Sequence, residues 1–408
     1  QLDKLSNISN RMNPFPFKIN ITDSFTTTFR NAIANSFDEY YKNCAKFDEY
    51  RPKTKTCINN FGFSSTMFES LEVLYLFNLK EQYKKAYNFI MNEFSIQNLH
   101  WINVREFWSR CIGSLLSCYL LTSDKKYLLK AIEFSNTILK FPKNAQYVNI
   151  FENIHRSHQW EETPSLTTIV SGLPELFLLS KLTKRQSYSI EYLTILNNIP
   201  SKINSNELFN VIDFYHILSL SYPIISMRSL RDILSSTIFN FTESKQQCLL
   251  FNSHILDTLS MINHNLENVN KYSELIIQYK TKINLNNFIS NDCKMINYVL
   301  PFTFDSSNFR AVLRDSHQFE QDRELILNII NSSLTLCQSN GKVFSGLINT
   351  NSLELVSTDI QHSNFFGQWM NLAGYLLLEN TSFWKSAVFN ERGHLLYFSS
   401  ISLNDDDD

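Results

Sequence analysis

Glu106 and Arg110 are the residues of this sequence best placed to do chemistry. They are four positions apart in a segment with helical apolar spacing, so their side chains share one face, one turn apart. An arginine at that distance can hold a carboxylate and tune how readily it binds a proton, as a general acid requires. The same spacing is also an ordinary helix-stabilising pair, so the pattern alone leaves both interpretations open.

A second group of polar residues lies in a predicted loop over residues 141–163. His155 and His158 are spaced like two metal ligands, and Glu161 and Glu162 follow them. Two histidines in a loop without a clear third ligand are a weak indication of a metal site. We therefore predict a solvated or ligand-contacting loop. The seven cysteines do not cluster at zinc-like spacing either.

Long stretches of helical periodicity must position these residues. Only 8 glycines and 9 prolines occur in 408 residues, which favours an all-helical chain. Around the Glu106–Arg110 pair, helices are predicted over residues 65–79, 81–94, 103–121 and 125–139. Further helices are predicted over residues 32–41, 164–182, 187–197, 207–222, 226–240, 247–262, 270–280, 305–314, 320–338 and 365–378.

The organisation of the chain is that of one domain. Neither a linker nor a fixed repeat period is present, so the paired helices are predicted to form one toroid rather than a solenoid. We predict a polar N-terminal lead-in over residues 1–31, a helical domain over 32–398 and an acidic tail over 399–408. A short hairpin is predicted over residues 341–350, between glycines.

Composition narrows the functional classes. The chain is 43% hydrophobic and 19% charged, which is enough apolar material for a large core. Its net charge of −2 offers no basic field for a nucleic-acid partner. It contains no apolar run of about eighteen residues, so no membrane span is predicted. The first residue, Gln1, fits either a chain that has lost a signal peptide or a truncated one.

Two cysteines flank a loop near the N-terminus. Cys44 and Cys57 stand on either side of Arg51 and Pro52, and a bridge between them is compatible with an oxidising compartment. Seven free and mostly buried thiols are equally compatible with the sequence. The odd number of cysteines leaves at least one unpaired within a monomer.

Five segments, in the same order, are similar to motifs of one protein family. They are residues 47–52, 60–79, 106–124, 173–183 and 388–394. Their counterparts are D-E-L-x-P, a segment ending in D-A/S-L-D-T-L, F-E-T-x-I-R-x-L-G-G-L-L-S-A-Y-x-L-S-G-D, L-E-F-x-x-L-S-x-L-T and V-F-N-T-E-A-H. On these motifs the chain resembles a degenerate member of glycoside hydrolase family 47, the class I α-1,2-mannosidases with their EDEM-like branch. The resemblance implies an all-α fold, a single-domain (α/α)7 barrel.

The resemblance also implies roles for individual residues. An inverting α-1,2-mannosidase needs a general acid that protonates the leaving oxygen and a general base that activates water. Glu106 falls on the family's general-acid position, with Arg110 one turn later as in the family. Substrate contacts are implied for Arg110, Glu175, Asp305 and His394.

Three further positions of the family's machinery carry other residues here. Gln246 stands in place of a catalytic Asp, Phe302 in place of the base Glu, and Glu391 in place of the threonine that holds Ca²⁺. Amide and phenyl groups lack the basicity of a carboxylate. Arg392, next to Glu391, argues against a bound cation, so no metal ion or other cofactor is expected. The comparison with the family motifs therefore predicts an impaired enzyme.

The expected function is that of an α-1,2-mannosidase-like protein of the secretory pathway, in N-glycan or glycoprotein processing or in quality control in the endoplasmic reticulum. The expected partner is a high-mannose N-glycan or a glycoprotein client, met in the lumen of the endoplasmic reticulum or Golgi or after secretion. One alternative is an active inverting mannosidase with a divergent site, in which Asp257 or Asp305 is a relocated base. Another is a non-enzymatic scaffold with a plugged barrel.

Overall fold

The computed structural model describes the N-terminal half of the chain almost continuously and the C-terminal part in shorter stretches. The described residues are 19, 24–142, 145–156, 172–197, 319–336, 338–339, 343–345, 359–378, 383–384, 387–390 and 392–397. The elements named below lie within these ranges.

Helices dominate the described part of the chain. The α-helices are α1 (Ser24–Cys44), α2 (Ser65–Leu76), α3 (Lys80–Asn88), α4 (Val104–Glu106), α5 (Gly113–Thr122), α6 (Lys125–Ile138), α7 (Leu173–Thr183), α8 (Gln186–Asn197), α9 (Phe319–Leu336) and α10 (Asn371–Leu377). Three π-helical turns continue or join them, namely Phe89–Glu93 after α3, Phe107–Ile112 between α4 and α5, and Phe365–Met370 before α10. A short 3₁₀ helix covers Ile96–Asn98.

Short antiparallel strands connect the helices. The strands are β1 (Glu49–Arg51), β2 (Thr56–Ile58), β3 (Trp101–Asn103), β4 (Tyr147–Asn149), β5 (Ile154–Arg156), β6 (Gln338–Ser339), β7 (Val343–Phe344), β8 (Val388–Phe389) and β9 (Leu395–Tyr397). They form the pairs β1–β2, β6–β7 and β8–β9 and the three-stranded sheet β3–β4–β5. Of the hairpin predicted over residues 341–350, the structure describes one strand, β7, which pairs with β6 before the predicted range.

Consecutive helices pack as hairpins, α2 with α3, α5 with α6 and α7 with α8. In α2 and α5 almost every side chain is buried, which is typical of inner helices surrounded by other elements. In α6 the buried residues fall on one face, which is typical of an outer helix. Of these inner elements, α2 contacts both α5 and α10, and the candidate site lies on this inner layer.

Helix α1 begins at Ser24, earlier than the predicted residue 32, so it takes in the end of the predicted polar lead-in. Phe29, Ile33 and Phe37 are four residues apart and fully buried, and they define its core-facing stripe. Three threonines in succession open this helix. Because β-branched residues have weak helix propensity, they concealed its start in the sequence.

The segment after α1 fixes the start of α2. A disulfide joins Cys44 to Cys57, with 5.5 Å between the two Cα atoms, which settles the alternatives left open by the sequence. The buried Asp48 carboxylate accepts hydrogen bonds from the backbone N–H groups of Phe61, Gly62, Phe63 and Ser65, at 2.6 to 3.2 Å. Burial raises the pKa of Asp48 in spite of these donors.

Asp124 caps the N-terminus of α6, as its residue type and its position just before an apolar helical pattern would predict. The side chain of Asp124 accepts a hydrogen bond from the backbone N–H of Lys126 at 3.0 Å, at the start of α6. Within the described part of the chain, no helix is long and apolar enough to cross a membrane.

Candidate active site

Residues from four separate parts of the chain meet on the inner layer. Helix α2 supplies Glu69 and Glu72, and the π-helical junction after α4 supplies Arg110 next to Glu106. Helix α7 supplies Glu175. The fourth part is residues 390–394 between β8 and β9, which we call the β8–β9 turn.

Arg110 is the centre of the first group of contacts. Its Nε donates to Oε2 of Glu106 at 2.6 Å, and its guanidinium also donates to Oε1 of Glu69 at 2.6 Å and to Ser363 Oγ at 2.7 Å. Burial lowers the pKa of Arg110, but the charges of Glu69 and Glu106 outweigh burial and raise that pKa well above its ordinary value. Arg110 is therefore a permanent cation between two buried carboxylates.

Arg392 approaches Glu106 from the other side. Its guanidinium lies 2.5 Å from Oε1 and 2.6 Å from Oε2 of Glu106. Both carboxylate oxygens thus accept hydrogen bonds from guanidinium groups, and Oε2 accepts from Arg110 as well. Such charge-assisted bonds favour the ionised carboxylate over the protonated acid.

Asn390 fixes the β8–β9 turn. Its side-chain amide donates to Ser109 O at 2.7 Å and to Glu175 Oε1 at 2.8 Å. Its Oδ1 accepts from the backbone N–H groups of Arg392 and His394, at 2.9 and 3.1 Å. One buried amide therefore sets the positions of both Arg392 and His394.

Gly113 makes room for this amide. A Cβ atom at Gly113 would lie 2.1 Å from Asn390 Nδ2 and 3.2 Å from Glu175 Oε1. Because real side chains essentially never approach so closely, only glycine allows α5 to pass the Asn390 amide at this distance.

Glu72 and His394 form a second centre with different chemistry. His394 Nδ1 lies 2.7 Å from Glu72 Oε2, and both side chains are fully buried. Glu72 also accepts from Asn371 Nδ2 at 2.9 Å, from Leu395 N at 3.2 Å and from the Tyr375 hydroxyl. Burial, together with the Glu72 charge, raises the pKa of Tyr375 well above its usual range, so the phenol stays a donor.

Glu49 extends the Arg110 group. It accepts from Ser363 N at 3.0 Å and lies 3.4 Å from His362 Nδ1. Burial raises the pKa of Glu49, but the hydrogen bond and charge of His362 and the charge of Arg110 outweigh burial and leave the pKa below its ordinary value.

The structure brings together four of the residues singled out in the sequence, Glu106, Arg110, Glu175 and His394. The contact expected from the spacing of Glu106 and Arg110 is formed, and the pair is buried. Glu175 and His394 both contact the Asn390 framework. Asp305, Gln246, Phe302 and Glu391 lie outside the described residues, as do Asp257, His158 and Trp160. His155 lies on the exposed strand β5.

Sequence reasoning missed the roles of Glu69, Glu72, Asn390 and Glu49, and the contact made by Arg392. Glu69 and Glu72 were visible only as acidic residues at positions where the family carries Asp. Their spacing of three residues in an otherwise apolar helix is the signal that could have marked them as buried and paired. Arg392 had been noted only as an unfavourable neighbour for a cation.

A protein-family model matches the part of the chain that supplies most of these residues. The model of glycosyl hydrolase family 47 matches residues 32–216, which contain α2, the α4–α5 junction and α7. This part of the chain is similar to glycosyl hydrolase family 47. The resemblance stated from the motifs is thereby confirmed.

Curated mannosidases match part of this chain. The endoplasmic reticulum mannosyl-oligosaccharide 1,2-alpha-mannosidase of Rattus norvegicus is 29% identical over 170 residues, 40% of this chain and 26% of that protein. The mannosyl-oligosaccharide 1,2-alpha-mannosidase MNS1 of Arabidopsis thaliana is 32% identical over 111 residues, 27% of this chain and 20% of that protein. The matched segment thus spans about a quarter or less of these relatives.

The fold of this chain has a solved counterpart. The alpha-1,2-mannosidase from Trichoderma reesei matches with a TM-score of 0.61 and 12% sequence identity, over 94% of this chain and all of that one. At this identity the likeness shows the fold alone. The predicted (α/α)7 barrel is confirmed.

A Ca²⁺ ion at the Glu106 carboxylate does not fit the residues that surround it. Arg392 places a guanidinium group against Glu106, and a metal ion at that carboxylate would face this positive charge. Among the described residues, no group of three or more His, Cys, Asp or Glu side chains could hold a metal ion.

Proposed function

We propose that this chain is a non-hydrolysing α-1,2-mannosidase-like protein of the secretory pathway. It binds high-mannose N-glycans, or the glycoproteins that carry them, in glycoprotein processing or quality control. The observation that carries this proposal is the double guanidinium contact on Glu106.

The double contact opposes the chemistry of an inverting glycosidase. The general acid must hold a proton that it can give to the leaving oxygen. Arg110 and Arg392 both favour the ionised form of Glu106 and occupy the oxygens from which a proton would be donated. Glu106 in this environment is a structural anion.

Two buried atoms support a binding function. Glu69 Oε2 and His394 Nε2 have no hydrogen-bond partner within the described residues. Buried polar atoms in proteins are almost always satisfied, by protein, water or ligand. Sugar hydroxyl groups can both donate and accept, so they suit both atoms.

The secretory location is supported by the disulfide and by the relatives. The Cys44–Cys57 bond is of the kind that persists in oxidising compartments. The relatives in rat and mouse are named for the endoplasmic reticulum. We infer residence in the lumen of the endoplasmic reticulum or Golgi, or secretion.

The first experiment measures hydrolysis. Purified protein is incubated with a high-mannose Man9 glycan, with and without calcium, and released mannose is quantified. We expect no release. Mannose release that is abolished by Glu106→Gln would overturn the proposal. It would favour the active divergent mannosidase, with which the retained Glu106–Arg110 pair is compatible.

The second experiment measures binding. The same protein is applied to a glycan array and then titrated with the high-mannose glycans that it retains. We expect binding to high-mannose glycans and none to complex glycans. A folded protein that neither hydrolyses nor binds any glycan would contradict the proposal and favour the scaffold with a plugged barrel.

A further inference from the structure

We propose that Arg392 is the built-in counter-cation of Glu106, so that this site is assembled without a metal ion. The inference goes beyond the proposed glycan binding and does not rest on it. It concerns what neutralises the carboxylate when the protein is free.

The contact geometry is that of a bound cation rather than a surface pair. The Arg392 guanidinium reaches both oxygens of Glu106, at 2.5 and 2.6 Å. The side chain of Glu106 is 11% exposed and that of Arg392 is 16% exposed, so the contact is largely shielded from water. At such depth a carboxylate needs a positive partner, because a buried charge left unpaired strongly disfavours folding.

The β8–β9 turn is built to deliver this guanidinium. Asn390 holds the backbone N–H groups of Arg392 and His394 from the inside, and Gly393 turns the chain at a φ of 82°. Opposite the turn, a Cβ atom at Gly367 would lie 3.0 Å from the carbonyl oxygen of Arg392 and 3.2 Å from Glu69 Cδ. The backbone of Arg392 is thus packed against the inner layer.

Arg110 cannot replace Arg392 in this role. Its guanidinium is shared with Glu69 and Ser363, so it leaves Glu106 with only part of one positive charge. A divalent ion next to Glu106 would have to displace Arg392 or accept its repulsion. The two solutions, arginine or metal ion, therefore exclude each other at this carboxylate.

The test measures thermal stability of the full chain in EDTA and in millimolar calcium chloride. For the native protein we expect the same melting temperature in both, and no heat of calcium binding by titration calorimetry. Arg392→Met, which keeps an apolar stem and removes the charge, is expected to melt several degrees lower. Arg392→Lys, which restores the positive charge on a shorter side chain, is expected to recover part of that loss.

Lys85→Met is the matched control, because it removes an equal charge from an exposed pair with Asp38 and should leave the melting temperature nearly unchanged. Calcium that raises the melting temperature of the native protein, but not that of Glu106→Gln, would overturn the proposal. So would an Arg392→Met protein as stable as the native one. Neither result would bear on glycan binding, which the array measures separately.

Discussion

Two buried carboxylates of this protein, Glu106 and Glu72, are stabilised in different ways. Glu106 is held by two arginines and keeps a small exposed fraction, 11% of its side chain. Glu72 is fully buried, and its partners are a histidine, a phenol, an amide and a backbone N–H. The first centre balances charge with charge, and the second relies on several hydrogen bonds.

The difference indicates that Glu106 belongs to a site that can bind a ligand, whereas Glu72 belongs to the structural framework. A carboxylate satisfied by four donors in a dry interior has no remaining capacity for a ligand, so Glu72 fixes α2, α10 and β9 to one another. A carboxylate balanced by arginines near the solvent boundary can exchange partners, because the guanidinium of Arg392 can move toward water. We therefore expect ligand-dependent change at the Glu106 centre and a structural role for the Glu72 carboxylate, with His394 Nε2 the atom of the second centre left for a ligand.

Gly113→Ala should have the largest effect, because it disturbs both centres. The new methyl group would displace Asn390, which holds both Arg392 and His394. We expect a loss of about 4 kcal/mol in the free energy of unfolding, from overpacking and unsatisfied buried groups. Urea denaturation measures this loss.

Gly374→Ala is the matched control for that substitution. A Cβ atom at Gly374 would meet only apolar atoms, Leu76 Cδ1 at 3.1 Å and Phe77 Cε2 at 3.2 Å. We expect a cost of about 1 kcal/mol. Equal costs at the two glycines would mean that Asn390 does not link the two centres.

Glu72→Gln should rank second. The new amide would place an N–H group among donors, leaving the ring nitrogen of His394 and the amide of Asn371 without their acceptor. We expect a loss of about 3 kcal/mol in the free energy of unfolding, again by urea denaturation.

Glu106→Gln should cost about half as much, because Arg110 keeps its contact with Glu69 and the Arg392 guanidinium can reach water. A larger loss for Glu106→Gln than for Glu72→Gln would contradict the distinction between framework and site.

Glu49→Gln should cost about as much as Glu106→Gln, but its effect should depend on pH. The pKa of Glu49 in the folded protein lies below its ordinary value of 4.5. Its contribution is therefore present above about pH 4.5 and lost as the pH falls through the folded-state pKa. At neutral pH we expect the variant to lose about 1.5 kcal/mol.

Measuring urea midpoints from neutral to acidic pH tests this expectation. The gap between native protein and Glu49→Gln should narrow as the solution is acidified. A gap that widens in acid would contradict the direction of the pKa shift and the link between Glu49 and the Arg110 group.

Local geometry made part of this site predictable from the sequence. The contact between Glu106 and Arg110 follows from a spacing of four residues in a helix, and the Asp124 cap follows from residue type and position. The prediction of the barrel follows from the family motifs, which occur in the same order along the chain. Each of these depends on neighbours in the chain or on a pattern preserved along it.

The other contacts of the site join residues that are far apart in the sequence. Arg392 meets Glu106 across 286 positions, and His394 meets Glu72 across 322. No periodicity encodes such pairs, because they depend on how the barrel brings distant helices together. Strands of two or three residues, such as β8 and β9, are too short to show alternation. The partners of Glu69 and Glu72 therefore became visible only in the folded chain.

The π-helical turn at Phe107–Ile112 sets the rotational phase between the two ends of one helix. Glu106 precedes this turn and Gly113 follows it, so their relative angle depends on the wide turn between them. Removing one residue there would restore α-helical pitch and rotate one end against the other by about 100°. Glu106 would then leave its arginines while Gly113 stayed against Asn390. The number of residues in this turn is thus as much a part of the site as their identities.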